Sequence, residues 1–147
     1  MPVKIRVMPT LLFRDVGLVK GVKFDSWRRT GSALQAIKVY NMREVDELVF
    51  LDIRATPEMR APDFEQIDEL ADECFAPMTV GGGVRNVDHI DGLLAVGADK
   101  GAINTAAGER PKRSEEGARR FGSRCIVVSI DALRREATSE TWDQQAM

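Results

Sequence analysis

The chain has 147 residues, enough for one domain with a buried core. Charged residues make up 30% and hydrophobic residues 44%, and the formal net charge of −2 argues against nucleic acid as the main partner. Two cysteines, Cys74 and Cys125, form no CxxC pair, which fits a reducing, cytoplasmic setting better than a secreted disulfide scaffold. No apolar run approaches a membrane span, and the first residues lack the apolar stretch of a signal peptide.

In chain order, residues 5–12 read as a first strand and residues 17–24 as a second extended piece, a hairpin-like excursion after it. Residues 33–43 carry Leu34, Ile37, Val39 and Tyr40 at roughly helical spacing. Residues 47–53 are a near-continuous apolar run, the pattern of a strand buried on both faces. Residues 63–74 place Phe64, Ile67, Leu70, Ala71 and Cys74 on one helical stripe, with Pro62 suited to the first turn. A short strand at 78–80 precedes the glycines. A helix over 87–96 then closes at Gly97, a strand follows at 100–104, a helix at 111–121 stops at Gly122, and a last strand runs over 125–130.

The run Thr79-Val80-Gly81-Gly82-Gly83-Val84 is the most specific local signal. Consecutive glycines after a strand let the backbone approach something closely and supply peptide N–H groups. The start of the next helix, near Asn86, faces the same loop, so strand, glycines and helix start together suit an anion.

Strands recurring every 20 to 30 residues with a helix between indicate repeated βαβ units and a parallel sheet. A doubly wound sheet and a TIM barrel both begin this way. Polar residues at the strand ends (Asp52, Gly81 to Gly83, Asn104, Thr105 and Asp131) favour the barrel, whose reacting face is built from such ends. A full barrel takes about 250 residues. The expected architecture is therefore α/β, about half a TIM barrel over residues 1–131, with a polar tail over 132–147 that offers no sixth strand and reads as disordered or non-native. Open sheet edges would then drive self-association.

A longer set of motifs now follows in order: Gly17-Leu-Val-Lys-Gly-Val-Lys-Phe24, Val45-Asp-Glu-Leu-Val-Phe-Leu-Asp-Ile53, the glycine run, Gly97-Ala-Asp-Lys100, Ile103-Asn-Thr-Ala-Ala107, Phe121-Gly-Ser123 and Val127-Val-Ser-Ile-Asp131. Together they resemble the N-terminal half of the cyclase subunit family of imidazole glycerol phosphate synthase. The resemblance implies a TIM barrel that takes ammonia from a glutaminase partner. With it, the family cleaves and cyclises a phosphoribulosyl aminoimidazole carboxamide nucleotide, and it needs no cofactor. It further implies that Gly81, Gly82, Gly83, Asn104 and Thr105 hold a substrate phosphate, that Lys20 is a cationic substrate contact, and that Asp131 is catalytic. Arg6, Glu47 and Lys100 correspond to a charged gate where ammonia enters, and Asp99 to a contact with the glutaminase. Asp52 either lines the pocket or caps the following loop.

The family's second catalytic aspartate falls on Leu12, and leucine cannot move a proton. A paralogous branch, associated with sugar amidation in surface polysaccharide synthesis, has Leu-Leu near this point, as in Thr10-Leu-Leu-Phe13. The alternative is a truncated, non-catalytic fragment that binds phosphate or a partner chain. His89, the sole histidine, reads as a surface residue, and with two distant cysteines it makes no metal-ligand set.

Overall fold

The structure, a computed structural model, describes residues 2–15, 17–22, 25–134 and 142–144. Strand β1 (Thr10–Arg14) is followed by an antiparallel hairpin of β2 (Gly17–Val22) and β3 (Asp25–Gly31), then helix α1 (Ala33–Met42). Next come β4 (Leu48–Asp52), α2 (Phe64–Glu73), β5 (Met78–Gly81), α3 (Val87–Ala95) and β6 (Lys100–Ile103). A short helix α4 (Thr105–Glu109), helix α5 (Lys112–Phe121) and β7 (Ile126–Val128) complete the main body. The far end of the excursion predicted at 17–24 and most of the polar tail lie outside the described residues.

The seven strands run in the order β3-β2-β1-β4-β5-β6-β7. The five from β1 to β7 that alternate with helices are parallel and lie in strict chain order. Each crossover between parallel strands therefore moves the sheet in the same direction, and the order of the parallel strands never reverses. A doubly wound sheet requires a reversal, so the arrangement is that of a partial TIM barrel.

Alternation within the strands sorts the two sheet faces. Leu11, Phe13, Leu48, Phe50, Met78, Val80 and Ile103 are buried and share one core with Ile37, Ile67, Leu70, Ile90 and Leu93 of the helices. The opposite face carries two rows of aligned residues: Thr10, Val49, Thr79 and Lys100, then Leu12, Leu51, Gly81, Ala102 and Val127. Val49 and Leu51 are only half-buried, so β4 is covered fully on one face, not on both as its apolar run predicts. The second face is the one a barrel turns inward.

Helix boundaries follow local chemistry. Asp63 caps α2 by accepting from the Gln66 N–H at 3.1 Å, and Asn86 caps α3 by accepting from His89 N–H at 2.9 Å. Pro62 therefore lies just ahead of the cap and outside the first turn. Gly97 at φ +104 and Gly122 at φ +91 end α3 and α5 in conformations that suit glycine.

Two strands differ from the sequence expectation: β7 covers only Ile126–Val128 of the strand expected over 125–130, and the first strand starts late. β1 begins at Thr10 and not near residue 5; Val3, Ile5 and Val7 upstream are exposed. That segment is tied to the start of β4 by the Val7 and Pro9 carbonyls, which accept from Asp46 N–H and Val49 N–H at 3.1 and 2.9 Å, by Val7 N–H donating to Asp46 Oδ2 at 2.8 Å, and by Lys4 and Arg6 pairing with Asp46 and Glu47. The edge of β1 is also not fully open, because β2 pairs with it through Phe13 and Arg14. On the far side, β7 has no strand on its outer edge among the described residues. Ala132–Arg134 and Trp142–Gln144 form a separate two-stranded antiparallel sheet and add no sixth parallel strand.

Candidate functional site

At the C-terminal ends of the strands, the glycine run fits against its own chain. A Cβ on Gly81 would meet Leu51 Cδ2 at 2.8 Å and Ala102 Cβ at 2.9 Å. On Gly82 it would lie 2.2 Å from the Asp52 carbonyl oxygen, and on Gly83 2.6 Å from that of Arg60. The close approach that three glycines permit is thus to the end of β4 and the loop after it. The Gly83 N–H points to Thr56 Oγ1 at 3.2 Å.

That loop is held by Asp52, which is 8% exposed. Its Oδ1 accepts from the N–H groups of Arg54 and Ala55 at 3.0 and 3.2 Å, and its Oδ2 pairs with Arg60 Nη2 at 3.0 Å. Asp52 therefore caps its own loop, one of the two roles the sequence leaves open. Glu58 joins Arg60 to Arg54, and Arg54 reaches Asp15 in the β1–β2 turn at 3.8 Å. Hydrogen bonds from these arginines, Arg60 first, hold the exposed Glu58 carboxyl below its usual range.

Beside the glycines, Asn104 donates through Nδ2 to Asp131 Oδ2 at 2.6 Å. Asn104 directly follows β6, Asp131 lies three residues past the end of the adjacent β7, and both are half-buried. Thr105 opens α4 next to Asn104. Lys20 lies exposed on β2, and Leu12 sits half-buried on the inward face, level with Leu51 and Gly81.

The other end of the same face carries a charged cluster. Glu47 is 3% exposed. Lys100 Nζ donates to both of its oxygens at 2.8 Å, Arg6 Nη2 to Oε2 at 2.8 Å, and Thr79 Oγ1 to Oε1 at 2.6 Å. Burial alone raises the Glu47 pKa, but the hydrogen bonds from Lys100, Thr79 and Arg6 together hold it below the ordinary range. Arg6, Glu47 and Lys100 thus meet in space although 41 and 53 residues separate the pairs. Asp99, next to Lys100, accepts from Met78 N–H at 2.7 Å.

Thr79, Thr56 and His89 are absent from the sequence-derived site. Thr79 had a signal: it is polar in an apolar strand and in register with Lys100. Thr56 had none, because its contact depends on the loop path. His89 is not a plain surface residue. Its half-buried ring lies edge-on to Phe64, with Nδ1 3.1 Å from the Gly83 carbonyl oxygen and 3.3 Å from the Arg85 nitrogen. Among the described residues, no group of three or more His, Cys, Asp or Glu side chains is placed to hold a metal ion, and no helix is long and apolar enough to cross a membrane.

A partial parallel barrel, polar groups gathered at its strand ends and a charged cluster at the opposite end are therefore the frame for comparison with known families. The family described as "Histidine biosynthesis protein" matches residues 6–147. The match spans the sheet, the glycine run and both polar ends, and the chain belongs to this family of TIM-barrel proteins.

Proposed function

We propose that this chain is a cyclase-like unit that binds a phosphorylated small molecule at the C-terminal strand ends and receives ammonia from a glutaminase partner at the other end. The observation that carries the reading is the Asn104–Asp131 hydrogen bond beside the glycine run, with the Arg6–Glu47–Lys100 cluster on the same sheet face. Gly81, Gly82 and Gly83 offer peptide N–H groups to the phosphate, and Asn104 and Thr105 offer an amide and a hydroxyl. An arriving phosphate takes over the Gly83 N–H from Thr56. Lys20 adds a cation from the hairpin, and Asp131 is the acid–base group. Asp99 contributes to docking of the glutaminase.

Leu12 narrows the chemistry. General acid–base cyclisation needs two proton-transfer groups, and the inward position on β1 carries only a hydrocarbon. This favours the branch associated with sugar amidation, or a chain that binds phosphate without turnover, over imidazole glycerol phosphate formation. Purified protein supplied with the phosphoribulosyl aminoimidazole carboxamide nucleotide and ammonium should yield no imidazole glycerol phosphate. It should nevertheless bind inorganic phosphate, shifting the amide resonances of Gly81 to Gly83, Asn104 and Thr105. Measurable product would overturn the assignment of Leu12, and unmoved amides would overturn the phosphate site.

Self-association belongs to the same reading. The outer edge of β7 has no strand partner among the described residues, and Val128 and Ile130 beside it are exposed. Sedimentation at micromolar concentration should show a dimer or larger species; a stable monomer across the concentration range would count against it.

A further inference from the structure

Leu12, Leu51, Gly81 and Ala102 form one aligned row on the inward face, and the chain goes one step further along the same strands. Gly83 and Asn104 stand two residues past Gly81 and Ala102, and Arg14 stands two residues past Leu12. Period-two alternation puts Arg14 on the face of Leu12. Arg14 is opposite Gly17 across the β1–β2 hairpin, and directly opposed residues of an antiparallel pair share a face. The Cβ that Gly17 lacks would therefore project inward. Its place is taken by Arg29 of β3, whose Nε would lie 2.9 Å and Nη2 3.4 Å from that carbon. Thr30, beside it, donates to the Leu18 carbonyl at 3.2 Å and pins β3 at this point. Gly17 is buried beneath the guanidinium. The edge of the sheet thus carries two arginines on its inward face, two strands from the glycine run.

We propose that Arg14 and Arg29 form a second oxyanion subsite, so that the small molecule bound across this face carries an anionic group at each end. The other end rests on the phosphate reading above. A guanidinium presents a planar fork of N–H donors that matches phosphate or carboxylate, and it does not give up its proton. The end of β1 is therefore equipped to hold an anion, with the hydrocarbon of Leu12 one step below. Asp15, in the turn, is the carboxylate next to this pair. It is 61% exposed and lies 3.8 Å from both Arg14 Nε and Arg54 Nη1, too far for a hydrogen bond to either, so it leaves the Arg14 fork unfilled. Arg54 itself is bound to Glu58. Neighbouring strands lie about 4.8 Å apart, so the two steps from β5 to β1 separate the two anions by roughly 10 Å. That span fits a sugar bearing an acidic group at both ends of its carbon chain.

Three probes at constant ionic strength test this in isotopically labelled protein: fructose 6-phosphate, fructose 1,6-bisphosphate and 6-phosphogluconate. At least one of the two doubly anionic probes should bind roughly tenfold more tightly than fructose 6-phosphate, the scale of a charge-assisted hydrogen-bond pair. Which of them gains more tells whether the subsite takes phosphate or carboxylate. Arg29→Gln should erase most of that gain. Gly17→Ala should do the same with every charge kept, because the methyl occupies the seat of the guanidinium. Arg28→Gln is the control for bulk charge, since Arg28 is also exposed but is paired with Lys20 on the other face of the hairpin. Equal affinity for all three probes overturns the subsite, and so does an Arg28→Gln loss as large as that of Arg29→Gln. The two readings fail separately. Probes that shift the Arg14 and Arg29 Nε resonances but leave Gly81 to Gly83, Asn104 and Thr105 unmoved overturn the phosphate site and keep this one. Shifts confined to the glycine run and its neighbours do the reverse.

Discussion

Lys100→Met should lower stability by about 2–3 kcal/mol, somewhat less than the ~3–5 kcal/mol seen when one partner of a fully buried ion pair is removed. Glu47 is the reason. It is buried at the N-terminal end of the inward sheet face and receives two of its four side-chain hydrogen bonds from Lys100. Arg6 and Thr79 remain after the substitution, which is why the loss falls short of that for a fully orphaned charge. For a domain of this size the effect corresponds to a fall in Tm of roughly 6–10 °C. A double variant, Glu47→Leu with Lys100→Met, should recover part of it, because replacing both members of a buried pair is often close to neutral. Unchanged melting of Lys100→Met would mean that Glu47 is not desolvated in solution.

The same cluster fixes a pH dependence. The Glu47 carboxyl is held below its ordinary range, with burial opposing and the Lys100, Thr79 and Arg6 hydrogen bonds prevailing. A lowered folded-state pKa contributes stability that is present above the unfolded value, about 4.3 for glutamate, and is lost as pH falls through the folded value. Wild type should therefore be more stable than Glu47→Gln near neutral pH, and the gap should close in acid. A gap that widens in acid would reverse the assignment.

Much of this molecule is legible in its sequence, and the limits of that legibility have physical causes. Strand–helix alternation and the stripe on α2 are local, and Ile67 and Leu70 of that stripe are buried, whereas of the residues expected on α1 Ile37 is buried and Leu34 and Val39 are exposed. The direction of winding is not local. It depends on each strand joining the same side of its predecessor, so only the strand order separates a barrel from a doubly wound sheet. The start of the first strand misleads because residues 3–7 alternate like a strand but bury nothing along their length. Helix α4 escapes a sequence reading because five residues carry too little periodicity to register.

The candidate site is legible in its residue types and not in its contacts. Asp52 reads equally well as a pocket wall or a cap. Its position one residue past Leu51 puts it on the helix-facing side, in register with buried Phe13, where it ties down the loop. His89 reads as solvated because its neighbours are polar; the curl of the chain after Gly83 brings its ring onto the loop.

Gly82→Ala should be the most damaging single methyl in the chain, costing about 3–5 kcal/mol, the combined scale of positive-φ strain and overpacking. Gly82 has φ +102, and the added carbon would lie 2.2 Å from the Asp52 carbonyl oxygen and 2.9 Å from the Asp52 nitrogen and carbonyl carbon. These are backbone atoms at the end of β4, held by the parallel ladder to β1 and by the Ile53 N–H to Phe13 carbonyl bond at 3.1 Å. They cannot rotate away as a side chain would. Two other glycines separate the contributions. Gly122 has φ +91, but a methyl there would meet nothing within 4 Å, so Gly122→Ala carries strain alone, about 1 kcal/mol. Gly101 has its nearest neighbour, an Ile90 methyl, at 3.4 Å and no positive φ, so Gly101→Ala should change stability by less than about 1 kcal/mol. Chemical denaturation of the three variants should rank them Gly82, Gly122, Gly101 in order of loss. If Gly82→Ala costs no more than Gly122→Ala, the glycine run is not wedged against β4, and its composition must then be explained by what binds to it. If the predicted order holds, packing alone accounts for Gly82, and the case for an anion rests on the polar groups around the loop.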